Sequence, residues 1–201
     1  MYKNFLKRIF DIIISIISLP FVIFLVCIIG PIIYFSDKGK IFYIAPRLGK
    51  NGKVFNMLKF RTMKVNAPDI RNEDGSTYSS DDDQRVTKIG RILRRTSIDE
   101  IPQLINVLIG QMSFIGPRPT LASVKLEDFD QKHIERFSVR PGITGYSQAF
   151  YRNSISQNEQ FNNDVFYAKN LSFVFDIKII FKSIYTVLLR KNINRRKEDI
   201  K

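Results

Sequence analysis

The chain has 201 residues, which is long enough for one domain with a sizeable hydrophobic core. Its 32 Lys and Arg residues exceed its 19 Asp and Glu residues, and the net charge of +13 indicates an anionic partner: nucleic acid, an anionic membrane surface or phosphorylated small molecules. The single cysteine, Cys27, and the single histidine, His133, exclude a disulfide framework, a cysteine metal cluster and a multi-histidine zinc site within the chain. His133 lies in a charged segment and is expected at the surface.

The first predicted element is an apolar N-terminal segment. Residues 1–11 are basic and amphipathic, and residues 12–35 carry no charge, so as a helix of about 36 Å they could cross a bilayer. Pro20 and the Gly30-Pro31 pair predict a kink or a break. Basic residues flank both sides, and the positive-inside rule is satisfied best if both ends stay cytoplasmic. Two arrangements therefore remain open: a re-entrant hairpin with its break at Pro20, and a spanning helix with a proline kink.

Residues 41–64 predict a β-hairpin, because two apolar strand segments flank the turn sequence Gly49-Lys50-Asn51-Gly52. Pro46 predicts that the first strand lies at an edge of the sheet. The hairpin ends in a segment where Lys59 and Arg61 alternate with apolar residues. These two side chains could bind phosphate, or they could form a solvated strand face.

A polar, turn-rich segment, residues 65–85, is expected to form a long surface loop. Its carboxylate run, Asp81-Asp82-Asp83, is interpreted as solvated rather than as a set of metal ligands. A helix is predicted after this loop. Lys88, Arg91 and Arg95 would form one basic face of that helix, opposite an apolar face.

An adjacent carboxylate pair, Asp99 and Glu100, follows a basic run and precedes an apolar helical pattern. A carboxylate at the start of a helix lies near the positive end of the dipole, and a nearby arginine such as Arg94 favours its ionised form. The same arrangement offers N–H groups and guanidinium to a phosphate, so the pattern fits an anionic nucleophile that meets a phosphorylated substrate. It also fits a purely structural capping box from Ser97 to Glu100. Pro102 suits the first turn of a helix that begins a few residues later than Ser97.

The second half of the chain carries further arginines on two rigid turns. Arg118 lies between two prolines, which fix the backbone on both sides of its guanidinium. Arg140 precedes a Pro-Gly turn that allows close backbone approach, and Arg152 follows shortly. From Phe173 on, an apolar helical stripe could lie in the membrane interface or pack on the domain core. The stripe consists of Ile177, Ile180, Phe181, Ile184, Val187 and Leu188.

Six motifs follow one another in a specific order and spacing. They are Lys7-Arg8…Asp11, KFRTM, RRTSIDEIPQLINVL, MSFIGPRP, VRPGITGYSQ and DVFYAKNLSFVFDIK. Over nearly its whole length the chain thereby resembles the monotopic phosphoglycosyl transferases, the small bacterial sugar transferases that begin assembly of polyprenyl-diphosphate-linked glycans. Two positions depart from the family pattern: Ile23-Phe24 occupies the place where many members have Ser-Pro at the helix break, and Gln111 stands where an aspartate is usual.

The resemblance implies transfer of a phospho-sugar from a UDP-sugar to polyprenyl (undecaprenyl) phosphate, with release of UMP. It implies that Asp99 attacks the β-phosphate and forms a covalent intermediate, and that Glu100 belongs to the same catalytic dyad. It also implies that Mg²⁺ binds at these two carboxylates. The basic residues expected to bind the substrate phosphates or the nucleotide are Lys59, Arg61, Arg94, Arg118, Arg140 and Arg152.

The expected fold is α+β and mainly helical: a small cytoplasmic domain with a β-hairpin and an N-terminal re-entrant membrane helix. Residues 1–36 would form the basic lead-in and the membrane helix, residues 37–193 the catalytic domain, and residues 194–201 a charged tail. The domain is expected on the cytoplasmic face of the bacterial inner membrane. Its expected partners are the UDP-sugar donor, the polyprenyl phosphate acceptor and membrane lipid, without nucleic acid. The alternative is a membrane-tethered basic module that binds nucleic acid or anionic lipid without catalysis.

Overall fold

The computed structural model describes residues 2–70, 78, 80, 82–152 and 154–188, so the predicted charged tail lies outside the described residues. The fold is mainly helical α+β with a long apolar N-terminal helix and a β-hairpin, as predicted. The helices are α1 (Lys7–Asp37), α2 (Lys88–Thr96), α3 (Gln103–Leu108), α4 (Tyr146–Phe150), α5 (Gln157–Asn170) and α6 (Phe173–Leu188). The strands are β1 (Phe42–Leu48), β2 (Val54–Phe60), β3 (Ser113–Ile115), β4 (Thr120–Leu121) and β5 (Gly142–Thr144).

The hairpin of β1 and β2 is antiparallel and pairs Phe42 with Phe60 at its open end. The turn needs a left-handed backbone, which Asn51 (φ 56°) and Gly52 (φ 71°) adopt. The prediction that Pro46 confines β1 to an edge is wrong, because β1 lies between β2 and the short β4. β4 pairs with β1 only at Arg47 and Leu48, which follow the proline. At Pro46 itself the contact uses the carbonyl, which accepts a hydrogen bond from the Ala122 N–H. The pairing therefore does not need the backbone N–H that proline lacks.

Helix α1 continues through Pro20 and Pro31 without interruption, so the predicted break of the helix at Pro20 is not observed. A proline removes one backbone hydrogen bond from a helix, and here the α-helical backbone on both sides continues past that loss. The helix is long and apolar enough to cross a membrane. Straight, its 31 residues would span about 46 Å.

One face of α1 packs against the rest of the domain along most of the helix. Its buried residues are Lys7, Asp11, Ser15, Val22, Ile29, Gly30 and Ile33. At the first end Lys7 forms an ion pair with Asp176 on α6 (2.6 Å), and at the second end Ile33 packs in a cluster with Phe60 and Leu93. The other face exposes large apolar side chains, of which Ile17 is 72% exposed. Both ends of the apolar helix therefore contact the same domain.

Helix α6 turns part of its apolar stripe outward. Phe181 and Ile184 are exposed, whereas Ile180 packs against the core cluster, and Asp176 and Ile179 are buried. Asp176 is buried because Lys7 and the hydroxyl groups of two tyrosines satisfy its carboxylate. Each of the two alternatives for the stripe therefore holds for part of it: Ile180 packs on the core, and the exposed Phe181 and Ile184 suit a membrane interface.

Two further surface predictions are wrong. His133 is buried, and its ring nitrogen Nε2 lies 2.9 Å from Asn162 Oδ1. In the carboxylate run Asp82 is exposed as predicted, but Asp83 is buried, and its carboxylate accepts hydrogen bonds from Nε and Nη2 of Arg85. In each case a polar partner offsets the cost of burial. The Arg85 guanidinium also holds the pKa of the Asp83 carboxyl below its usual range, despite the opposing effect of burial.

Candidate functional site

The carboxylate pair lies on a short 3₁₀ turn, Ile98–Glu100, between α2 and α3. Ser97 ends α2 in the left-handed conformation (φ 57°), and its N–H donates to the Arg94 carbonyl. Ser97 is therefore a C-terminal residue of α2, and among the described residues its side chain caps no helix. The structural capping box is not formed. Helix α3 begins only after Pro102, which confirms the predicted later start.

Asp99 is buried, with 9% of its surface exposed. Burial raises the pKa of its carboxyl to about 6; the charge of Lys59 opposes this shift, Glu100 reinforces it and Arg94 opposes it. Desolvation is the largest of these effects, because a carboxylate loses hydration when it leaves water. Asp99 is thus more basic than an ordinary aspartate but still mostly ionised at pH 7.

Glu100 is half-buried and forms an ion pair with Lys59, with 2.5 Å between Lys59 Nζ and Glu100 Oε1. Burial raises the pKa of its carboxyl, but Lys59 and Arg118 outweigh that effect, so the Glu100 pKa falls below its usual value. Two neighbouring carboxyls therefore have their pKa values shifted in opposite directions. Such a separation is typical of carboxyl pairs that perform different chemical roles.

The three cations nearest the pair come from three separate elements. Lys59 lies on β2, Arg94 lies on α2, and Arg118 is an exposed residue of the turn after β3. Arg94 donates from Nε to Thr62 Oγ1 (2.9 Å), which fixes its side chain beside the end of the hairpin. These three residues and the two carboxylates are the part of the predicted site that the structure brings together.

Arg136 supports the turn that carries Arg118 through a hydrogen bond to its backbone. Arg136 Nη2 donates to the Arg118 carbonyl (2.9 Å) and to Asp164 Oδ2 (2.6 Å), and Nη1 donates to Thr120 Oγ1. Arg136 and Asp164 are almost fully buried, with 2% and 1% of their side-chain surface exposed. Sequence reasoning missed this pair, because 28 residues separate its members and neither lies in a local pattern that marks a partner.

Glycines allow the Arg118 turn to approach the strand after Arg140. A Cβ atom added to Gly116 would lie 2.3 Å from the Arg140 carbonyl oxygen, and one added to Gly142 would lie 2.1 Å from the Gly116 nitrogen. Such distances exclude any larger residue without movement of the backbone. This contact accompanies the parallel pairing of β3 with β5, which links the two rigid turns predicted from the sequence.

The remaining predicted arginines have partners elsewhere. Arg61 makes a two-pronged ion pair with Asp37 (2.6 Å for each contact) at the end of α1. Arg140 donates from Nε to the Gly110 carbonyl (2.9 Å). Arg152 has a left-handed backbone (φ 52°), and burial lowers the pKa of its guanidinium. Substrate binding by these three arginines stays a prediction.

The carboxylates also determine what metal could bind. Within the described residues, His, Cys, Asp and Glu form no group of three or more that could hold a metal ion. Asp99 and Glu100 alone do fit Mg²⁺, because this ion is commonly held by one or two carboxylates together with water and substrate phosphates. These two carboxylates therefore suit a metal ion whose remaining ligands come from water and from a phosphorylated substrate.

The fold and the site thus combine a helix that is long and apolar enough to cross a membrane with a buried carboxylate beside a second carboxylate and three cations. The chain belongs to the bacterial sugar transferase family, whose model matches residues 2–190. It is 40% identical over 94% of its length to the uncharacterized sugar transferase EpsL of Bacillus subtilis, of which it spans 91%.

Two further relatives have names that state an activity. The chain is 35% identical to the UDP-glucose:undecaprenyl-phosphate glucose-1-phosphate transferase of Escherichia coli, over 94% of the chain and 41% of that protein. It is 34% identical to the UDP-N-acetylgalactosamine-undecaprenyl-phosphate N-acetylgalactosaminephosphotransferase of Aeromonas hydrophila, over 92% of the chain and 44% of that protein. The chain thus spans less than half of these two longer relatives, and it aligns with transferases of two different sugars.

Proposed function

We propose that the protein transfers a phospho-sugar from a UDP-sugar to undecaprenyl or another polyprenyl phosphate and releases UMP. The observation that carries this proposal is the buried, unusually basic Asp99 beside Glu100, surrounded by Lys59, Arg94 and Arg118. A diphosphate repels an approaching carboxylate unless its charge is neutralised, and these three cations supply that neutralisation. The named relatives, which act on UDP-sugars and undecaprenyl phosphate, support the same reaction class.

In the first half-reaction an Asp99 carboxylate oxygen attacks the β-phosphorus of the donor. The bond from that phosphorus to the bridging oxygen breaks, and UMP leaves with the bonding electrons on its phosphate. Glu100, paired with Lys59, stays ionised and fixes the position of that lysine near the reacting phosphates. Arg118 is exposed, so a donor phosphate can reach its guanidinium.

In the second half-reaction a phosphate oxygen of the polyprenyl phosphate attacks the same phosphorus. The bond to Asp99 breaks, the carboxylate is regenerated, and polyprenyl-diphosphate-sugar is the product. Such a two-step course through an enzyme-bound intermediate is typical of nucleophilic catalysis. Mg²⁺ at Asp99 and Glu100 would neutralise phosphate charge when bound.

The membrane arrangement that fits this reaction is one with both ends of α1 on the cytoplasmic face. Lys7 at one end and Ile33 near the other contact the same domain, which a straight crossing of the bilayer would separate. The exposed apolar face of α1 would then enter one leaflet of the bacterial inner membrane. The acceptor phosphate could reach Asp99 at the level of the lipid head groups.

The experiment that tests the proposal measures UMP release from a panel of UDP-sugars with polyprenyl phosphate in detergent or nanodiscs. Release with particular sugars, abolished by EDTA and restored by added Mg²⁺, is expected because the two carboxylates fit a magnesium ion shared with substrate. Release that continues unchanged in EDTA would refute the metal assignment. No release from any UDP-sugar would refute the proposed donor class.

Lys59→Met is expected to lower kcat/KM for UMP release by about 10²-fold or more, because it removes a preorganised cation beside both carboxylates. The matched control is Lys53→Met, which changes an exposed lysine of the same hairpin. The control should behave like the wild type in the same assay. Equal losses in both variants would mean that Lys59 acts only through general surface charge.

A further inference from the structure

An open groove of about 750 Å³ lies between the end of α1 and the beginning of α2, away from the carboxylate pair. Pro31, Ile32 and Phe35 line it from α1, and Ile89 lines it from α2. Phe35 is 68% exposed, and it belongs to the outward apolar face that is suited to contact lipid. A cavity of this size is large enough for a segment of an acyl chain or a similar ligand.

Lysines surround the mouth of the groove. Lys64 and Lys88 belong to its lining and are exposed. Lys38 lies over the Phe35 ring, with 4.7 Å from Nζ to the ring centroid. Lysines whose stems follow apolar surface while their ammonium groups reach the head-group region are typical of membrane interfaces.

The only carboxylate that lines the groove among the described residues is Asp37. Both of its oxygens are engaged by the Arg61 guanidinium at 2.6 Å, so its negative charge is largely compensated. The net charge at the mouth is therefore positive. An apolar groove with a positive mouth is complementary to a lipid that has an anionic head group.

We propose that this groove binds an anionic phospholipid, with an acyl chain against Pro31, Ile32 and Phe35 and the phosphate between Lys64 and Lys88. Lys88 begins α2, whereas Asp99 follows the opposite end of that helix, whose nine residues span about 13 Å. A phosphate held at Lys88 is therefore too far from Asp99 to be the attacking acceptor. The groove is a second lipid site, separate from the site of the proposed transfer.

The exposed face of α2 extends the positive surface. Lys88 and Arg91 are both exposed there, as the predicted basic face requires. The apolar side chain of Ile92, next to Arg91 in the sequence, is exposed as well. This surface would contact the same anionic head groups as the groove. The bound phospholipid would thereby set the depth at which α2 and the following carboxylate pair lie relative to the membrane.

The test uses the fact that the chain contains no tryptophan. Phe35→Trp places a single fluorescent reporter, the groove reporter, in the full chain. The variant is reconstituted into nanodiscs of phosphatidylcholine with a minor fraction of phosphatidylglycerol. One sample carries dibrominated phosphatidylglycerol, and the other carries the same mole fraction of dibrominated phosphatidylcholine. Because bromine quenches only at close range, the ratio of the two quenching efficiencies reports which lipid occupies the groove.

The expected result is a several-fold preference for phosphatidylglycerol at the groove reporter, lost when Lys64→Gln and Lys88→Gln are combined with Phe35→Trp. A second reporter, Ile17→Trp, lies on the exposed face far from the groove and should show a ratio near one. Lys178→Gln, which changes an exposed lysine on α6, should leave the ratio of the groove reporter unchanged.

Two outcomes would overturn the proposal. One is an equal quenching ratio for the Phe35→Trp and Ile17→Trp reporters, and the other is a groove-reporter ratio that is insensitive to the two lysine changes. Relief of quenching at the groove reporter by added polyprenyl phosphate would also overturn it, because the groove would then belong to the acceptor.

Discussion

Asp99→Asn is expected to lower UMP release by at least about 10³-fold, because the amide has nearly the same shape but lacks the nucleophilic carboxylate. The loss should appear in kcat, and donor binding should remain measurable, since Lys59, Arg94 and Arg118 are retained. The assay is UMP release with saturating donor and acceptor. An exposed carboxylate, changed as Glu127→Gln, provides the matched control and should keep wild-type activity.

The same variant separates catalysis from stability. Burial disfavours the ionised form of Asp99, and this is the main reason that its pKa is raised to about 6. Removal of that buried charge should therefore leave the thermal unfolding midpoint unchanged or raise it. An inactive variant with a clearly lowered midpoint would indicate that Asp99 has a structural role. An active Asp99→Asn protein would exclude it as the nucleophile.

Arg136→Met is expected to lower the free energy of unfolding by about 3–5 kcal/mol, because it leaves the Asp164 carboxylate buried without its ionic partner. For a chain of this size the loss corresponds to a decrease of about 10 °C in the unfolding midpoint. The measurement is thermal unfolding in one detergent, followed by circular dichroism. Arg136→Lys keeps the charge but lacks the planar guanidinium that also donates to the Arg118 carbonyl. An intermediate decrease in the free energy of unfolding is therefore expected.

The chain offers a matched control for this prediction. Lys169 and Glu135 form an ion pair at 3.2 Å, but their side chains are 57% and 47% exposed. Lys169→Met should therefore change stability by no more than about 1 kcal/mol. If Arg136→Met cost no more than this exposed pair, the buried pair would not be what holds the Arg118 turn in place.

The elements that the sequence predicted correctly depend on local patterns. The hairpin follows from apolar strands on both sides of an Asn-Gly turn, and α2 follows from its amphipathic spacing. The basic face of α2 is exposed as predicted. The later start of α3 follows from Pro102, because proline is favoured at the beginning of a helix.

Some polar residues are buried because of a partner that is distant in the sequence. Asp176 lies outside the apolar stripe of α6, and Lys7, 169 residues away, allows it to be buried. His133 is likewise buried against Asn162, 29 residues further along. Periodicity reports which face of an element is polar, and it carries no information about whether a polar group meets its partner in the core.

For the site, short spacing in the sequence marked the two carboxylates and Arg94, whereas Lys59 and Arg118 were assigned to it through the family resemblance. It did not identify how the cations are supported. Arg8 donates to the Val107 and Leu108 carbonyls at the end of α3 (2.6 and 2.7 Å), about a hundred residues away in sequence. Contacts of this kind, like the one from Arg136 to the Arg118 turn, follow from the tertiary fold alone.

The most direct test of the central claim is the intact mass of the protein after incubation with its UDP-sugar in the absence of polyprenyl phosphate. The account predicts a mass increase equal to one phospho-sugar, located on Asp99 by peptide mapping, and one equivalent of UMP. Addition of polyprenyl phosphate should return the protein to its original mass. An unmodified protein that still transfers the phospho-sugar when both substrates are present would contradict the covalent mechanism and point to direct attack by the acceptor.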